Sequence, residues 1–162
     1  MFLLLVSCEK AKRIDTYYPS GELLSSHYEV NKKRNGPSVL YNIKGDTIEY
    51  EEYQNDTLNG RVFKKSNDGT KFLGFYKNNI PDSNYIVINN ENDTVVFMHF
   101  DEGKISGRAS FYLGTTKFVC EFLNGRAYNG TWSNRAESPF PISQYLCTYK
   151  NGILTDTLRK LY

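Results

Sequence analysis

The sequence predicts an all-β protein: a single-layer antiparallel meander of about six β-hairpin repeats with a period of about 24 residues. Three observations carry this expectation. An aromatic residue recurs at Tyr28, Tyr53, Tyr76, Phe100, Phe122 and Tyr149, in steps of 25, 23, 24, 22 and 27 residues. About seven residues after each one comes a small or turn-forming residue: Gly36, Gly60, Ser83, Gly107, Gly130 and Asp156. Between these marks, polarity alternates with the period of a half-buried strand rather than a helix. Composition agrees. Aromatics make up 15% of the 162 residues, with 13 Tyr and 10 Phe, which favours strands, and the length suits one domain.

Each element follows from that pattern. Residues 1–8, MFLLLVSC, are an apolar N-terminal segment too short to span a bilayer. Charged residues dominate 9–16, which is expected to be a short mobile tether ahead of a repeat domain over 17–162. Turns inside the units fall at Gly21, Gly45, Gly69, Asn92-Asp93 and Gly114. Two residues before each aromatic stand Ser26, Glu51, Gly74, Met98, Cys120 and Cys147, and two earlier Leu24, Glu49, Phe72, Val96, Phe118 and Tyr145. Most are small or apolar, so this is the inner face. Glu49 and Glu51 break it, and the 25-residue step suggests a bulge in the second unit that moves the face by one residue. Unit four has the most apolar strands and is expected to be the rigid middle. Trp132 opens the sixth unit, where Val62, Tyr85 and Ala109 stand in earlier ones, a core position. Residues 133–143 interrupt the alternation with Pro139 and Pro141. Loops in such arrays often carry binding, so Trp132, Phe140 and Tyr145 mark a candidate binding loop.

No unit stands alone. Ordering a residue costs about 1.5 kcal/mol, while burying a large apolar side chain returns about 1.5–3 kcal/mol. Each unit has only a few such side chains, so neighbouring hairpins must share one face.

The segments Tyr17-Tyr18-Pro19-Ser20-Gly21-Glu22-Leu23, Phe100-Asp101-Glu102-Gly103-Lys104-Ile105-Ser106-Gly107 and Tyr149-Lys150-Asn151-Gly152 resemble the MORN-type repeat, in its bacterial variant. The likeness covers roughly residues 16 to 157. It departs at Pro81-Asp82-Ser83 and in the proline-bearing insertion. The resemblance implies a non-enzymatic β-meander and brings no catalytic residues. Leu5-Val6-Ser7-Cys8, followed by Glu9-Lys10, resembles the lipobox of bacterial lipoproteins. That likeness implies a diacylglycerol on Cys8 and a place in the periplasm or at the outer membrane or cell surface. Asp46-Thr47-Ile48, Asp56-Thr57-Leu58, Asp93-Thr94-Val95 and Asp156-Thr157-Leu158 resemble an O-glycosylation acceptor of some Gram-negative envelope proteins, which implies Thr47, Thr57, Thr94 and Thr157 as acceptors. The same pattern also reads as a turn-ending Asp and a strand-starting Thr.

The chemistry on offer is sparse. A net charge of +2 gives no basis for a nucleic-acid partner, and Lys32-Lys33-Arg34 reads as a solvated turn. Cys120 and Cys147 fall on equivalent strands of consecutive hairpins, roughly 9.5 Å apart at two strand spacings. A disulfide needs about 7 Å or less between Cα atoms, so two free, buried thiols are expected. His27 and His99 share one outward position three units apart, too far for a joint metal site. No nucleophile elbow, phosphate loop, Cys-x-x-Cys or dinucleotide pattern is present. The expectation is a monomeric, non-enzymatic scaffold without cofactor. It is anchored to a membrane through Cys8 and presents its sheet to a protein or glycan. The alternative is a cytoplasmic module of antitoxin type that masks a toxin.

Overall fold

The computed structural model describes residues 10–133 and 145–159, and these form one antiparallel sheet. The strands are β1 (Lys12–Tyr17), β2 (Leu23–Val30), β3 (Lys33–Tyr41), β4 (Thr47–Gln54), β5 (Thr57–Lys65), β6 (Lys71–Lys77), β7 (Ile80–Pro81) and β8 (Ser83–Ile88). Then come β9 (Thr94–Asp101), β10 (Lys104–Ile105), β11 (Gly107–Leu113), β12 (Thr116–Leu123), β13 (Arg126–Ser133), β14 (Tyr145–Lys150) and β15 (Ile153–Arg159). Strand order across the sheet follows chain order, with β7 pairing only β6 and β10 only β9. The single-layer hairpin meander is therefore the fold. The sheet starts earlier than the charged composition of 9–16 predicts. Lys12 to Thr16 pair with β2, where Ile14 lies opposite His27 and the Thr16 and Ser25 hydroxyls are 2.7 Å apart.

Two kinds of turn alternate. Between units, two successive residues adopt left-handed φ: Asn31-Lys32, Asn55-Asp56, Asn78-Asn79, Glu102-Gly103, Asn124-Gly125 and Asn151-Gly152. Two left-handed residues make the type I′ turn that suits the strand twist, and Asn tolerates that conformation best after Gly. Within units, a wider turn closes on itself. Tyr18 N–H donates to the Glu22 carbonyl at 2.9 Å, and the same bond recurs for Asn42 to Asp46, Ser66 to Thr70 and Asn89 to Asp93. The Asn42 and Asn89 carboxamides each accept two backbone N–H groups of their own turns, which is why Asn stands there.

The type I′ turns are joined to one another. Asp56 N–H donates to the Arg34 carbonyl, Asn79 to Leu58, Gly103 to Pro81, Gly125 to Ile105 and Gly152 to Tyr128, at 2.9 to 3.1 Å. One edge of the sheet is thus a continuous ladder of turns. Gly130, five residues beyond the Asn124-Gly125 turn, has φ 109, and a Cβ there would overlap the Val119 carbonyl. Here the neighbouring backbone itself excludes a side chain.

One face holds the core. Val87, Val96, Met98, Ala109, Phe111, Cys120, Phe122 and Trp132 are buried there, concentrated in units four to six. Pairing fixes the face: Val87 lies opposite Val96, Val96 opposite Phe111, Ala109 opposite Cys120, and Trp132 opposite Cys147. Cys120 and Cys147 are free and buried, as their shared face predicts. Register also places Tyr53, Tyr76, Phe100, Phe122 and Tyr149 on this face.

Two expectations need correction. Glu49 and Glu51 do not leave the core face. They sit opposite Lys64 and Val62, and Lys64 Nζ bridges both carboxylates. The unit out of phase is the first. His27 pairs Ser38, which pairs Glu51, so Tyr28 lies on the other face and the 25-residue step marks a change of face there. His27 consequently lies on the face opposite His99, whose neighbour is Asn84 at 2.9 Å.

Candidate functional site

The edge formed by the within-unit turns has no comparable ladder, and neighbouring hairpins there either hold or part. Units one and two hold through the Tyr18 hydroxyl, which donates to the Tyr41 carbonyl at 2.9 Å. Units three and four hold because β6 and β8 pair out to Lys71 opposite Ile88, and Lys71 Nζ reaches Asn92 Oδ1 at 2.6 Å. Units four and five part. The β9–β11 ladder has only two rungs, Phe97 with Ser110 and Val96 with Phe111. Thr94 and Val95 on one side, and Tyr112 and Leu113 on the other, have no partner across this junction. Units two and three part similarly beyond Glu49 opposite Lys64.

A cleft opens at each parting. The larger, about 960 Å³ and half-open, lies between units four and five on the face away from the core. Val95, Phe97, Ser110 and Tyr112 form its floor, with Arg108 and Lys117 at one side and Glu91 and Asp93 at the turn end. Phe97, Ser110 and Tyr112 share a face because 97 lies opposite 110 and 110 and 112 are two apart, whereas Val95, the extra residue of a register shift against β8, also packs against the core. Tyr112 is 38% exposed, and Lys117 Nζ stands 5.6 Å from its ring centroid. Arg108 lies opposite Glu121, yet Glu121 accepts from Asn129 Nδ2 at 3.3 Å. Among the described residues Arg108 has no ion-pair partner.

The smaller cleft, about 480 Å³, lies on the core face between units two and three. Gly74 leaves its floor open between Val62, Phe72, Tyr76 and Tyr85. Burial, with Tyr76 nearby, pushes the Tyr85 phenol up to about 12. Lys64 lines it beside Glu49. Glu51 adjoins that pair. Burial pushes its carboxyl up, but bonds from the Tyr53 hydroxyl and Lys64, with Lys64 and Arg34 charge, hold it below its ordinary value. The Arg34 guanidinium covers the Tyr53 ring at 3.8 Å. These groups satisfy one another, so this cleft is a closed electrostatic network. The larger one holds two cations, Arg108 and Lys117, and two acids, Glu91 and Asp93, with no ion pair between them among the described residues.

The sequence-derived candidates are dispersed. Cys8 and Phe140 lie outside the described residues. Tyr145 opens β14, opposite Arg159. Trp132 is 6% exposed, its ring 5.1 Å from Phe111 and 5.2 Å from Phe122, both edge to face. It is a core residue rather than a platform. Thr47 and Thr57 are half-buried strand starts, while Thr94 and Thr157 are exposed. Only Thr94 of these borders the large cleft. Among the described residues no cluster of three His, Cys, Asp or Glu side chains could hold a metal ion. Arg108, Tyr112 and Lys117 escaped the sequence reading. Their alternation with Ala109 and Phe111 shows that they point outward, but nothing in the sequence marks where a ladder stops.

No protein-family model matches the chain, and no curated protein is significantly similar to it. The fold and the clefts therefore carry the functional reading by themselves.

Proposed function

We propose that the protein is a non-enzymatic binding module of MORN-like repeats that engages a macromolecular partner through the cleft between units four and five. The observation that supports this most is the cleft's composition: an exposed aromatic floor flanked by Arg108 and Lys117. Aromatic and arginine side chains dominate binding energy where they are buried by a partner, while isolated lysines at a rim contribute steering. The sheet supplies a rigid support, since floor residues stand on strands rather than loops.

The test is a photo-reactive residue in place of Tyr112, with the same residue in place of Lys33 on an inter-unit turn as control, in the cells that encode the protein. Adducts at the cleft but not at the turn are expected. Equal adducts at both positions, or none at either, would overturn the reading.

We further propose that Cys8 carries a lipid and places the sheet in the cell envelope. The apolar-small-Cys order of Val6-Ser7-Cys8, with charged residues directly after, supports it. Labelling with a palmitate analogue, followed by mass spectrometry of the N-terminus, is the check. An unmodified terminus in the soluble fraction would overturn the anchor and redirect the search to cytoplasmic partners, including a toxin.

A further inference from the structure

We infer that the cleft between units two and three is a binding site for a neutral saccharide ring, stacked on the tyrosines beside Gly74 and hydrogen-bonded at the Lys64–Glu49 end. The site lies on the core face, away from the large cleft, so the inference goes beyond the binding reading above and does not depend on it.

Gly74 points to a ligand. In the other core-face units its position holds Glu51, Met98, Cys120 and Cys147. Glycine at a strand centre weakens the strand, and it marks a bulge, a left-handed backbone or a close approach. The first two are excluded. The pairing of β6 with β5 runs unbroken through Val62 opposite Gly74, and the φ of Gly74 lies outside the left-handed region. Nor do its neighbours demand a bare backbone. A Cβ there would meet the Tyr85 ring at 3.4 Å and the Tyr76 ring at 3.8 Å, both ordinary contacts. Close approach of a bound molecule is left. Gly74 lines an opening of about 480 Å³, inside the range of roughly 300–1,000 Å³ for small-molecule sites.

The walls define the molecule's chemistry. Val62, Phe72, Tyr76 and Tyr85 offer apolar and aromatic surface. Hydrogen-bonding capacity stands beside it. An ammonium has three donors, and Lys64 directs two of them to Glu51 at 2.9 Å and Glu49 at 3.3 Å, which leaves one. Glu49 meets Lys64 through Oε2, so its other oxygen can accept. Among the described residues neither the Tyr76 nor the Tyr85 hydroxyl has a hydrogen-bond partner. A hydrocarbon would leave all these groups unanswered. An ion of either sign would face a like charge, because Lys64 Nζ and Glu49 Oε2 stand 3.3 Å apart. A pyranose meets each condition. Its C–H face packs on aromatic rings, and its hydroxyls donate and accept without net charge.

Heteronuclear NMR on the full chain tests this, with maltose, cellobiose, lactose and diacetylchitobiose as probes and p-cresol as an apolar comparator. At least one disaccharide should bind with a millimolar Kd and move the amide resonances of Gly74 and Tyr85. Gly74→Ala should weaken that disaccharide by about tenfold or more, since the new methyl group fills the floor. Circular dichroism should show this variant folded, because the site accepts a Cβ at ordinary distances. Tyr85→Phe, which removes only the hydroxyl, should weaken binding by about threefold to tenfold and decides the matter if Gly74→Ala does not fold. Lys33→Ala, on an inter-unit turn, should change nothing. Failure of all four disaccharides to bind, or indifference to Tyr85→Phe or to a folded Gly74→Ala, would overturn the proposal. So would binding of p-cresol in place of every sugar, which would mark the cleft as a seat for a partner's aromatic side chain. Photo-adducts at Tyr112 report on the large cleft alone, so either reading can fail without the other.

Discussion

Lys64→Met probes how a sheet face carries two carboxylates beside its core. Lys64 Nζ lies 2.9 Å from Glu51 Oε1 and 3.3 Å from Glu49 Oε2. Exposed ion pairs contribute about 0.2–1 kcal/mol, whereas breaking a buried pair costs about 3–5 kcal/mol. The Lys64 side chain is 48% exposed and that of Glu51 12%. A coupling between these limits follows, about 1–2 kcal/mol for Lys64 with Glu51. The assay is urea denaturation at pH 7 of the wild type, Lys64→Met, Glu51→Gln and the double variant, so that the cycle isolates the pair. Acid titration adds a second readout. The folded Glu51 carboxyl is held below its ordinary value, so the unfolded chain binds more protons between the two values. The stabilisation is complete above the unfolded value and is lost as pH falls through the folded one. Lys64→Met raises the folded value and should shrink that acid-side loss. A coupling under about 0.3 kcal/mol, or identical acid limbs in both proteins, would refute the claim that Lys64 holds the carboxylates in place.

Gly130→Ala should cost about 2–3 kcal/mol, because the new Cβ meets strand backbone and the left-handed conformation must also be kept. Gly114→Ala is the control: φ is 58 with open space around it, so only the backbone cost of about 1 kcal/mol applies. Thermal melts distinguish them at about 2–4 °C per kcal/mol for a chain of this size. The Asn79 carboxamide accepts the Leu58 N–H at 2.8 Å, so Asn79→Gly should remove this side-chain bond while keeping the turn and the backbone bond to the Leu58 carbonyl, at about 0.5–1.5 kcal/mol. Hydrogen exchange at the Leu58 amide should quicken if that is right. Burial pushes the Cys120 thiol up to about 11, above its unfolded value. Stability held by the neutral thiol is therefore complete below the unfolded value and is lost as pH rises toward the folded one. Cys120→Ala should flatten the alkaline limb of a stability profile, and native Cys120 should resist Ellman's reagent until the chain unfolds.

Much of the fold was legible because its signals are local. Asn-Gly and Asn-Asp pairs announce their turns through backbone conformation alone, and alternation around Met98, Phe111 and Cys120 names the core face. Tyr28 misled because an aromatic at nearly the right spacing looks inward whichever face it takes. Its true period mate, 24 residues on, is Glu52 rather than Tyr53. Glu51 misled for a different reason. A charge on the core face looks like a fault in the pattern until Lys64, brought opposite Glu49 by strand pairing, is seen to cancel it. The clefts were illegible in principle. They depend on where Val96 and Phe111 end a ladder, a relation between two strands that neither strand's sequence states.

Strand order across the sheet repeats order along the chain, and this governs how the protein is made. As the chain leaves the ribosome, each new strand finds its partner already waiting beside it. No distant segment must be brought back, so little loop-closure entropy opposes each step. Yet the buried cluster belongs to units four to six, which emerge after the first three. The first three hairpins have mainly their charge network and tethered turns to hold them. A chain stalled after β6 would hold paired strands but almost no core, its exposed edge open to any extended neighbour. The buried cluster is complete only when Phe111, Phe122 and Trp132 come together.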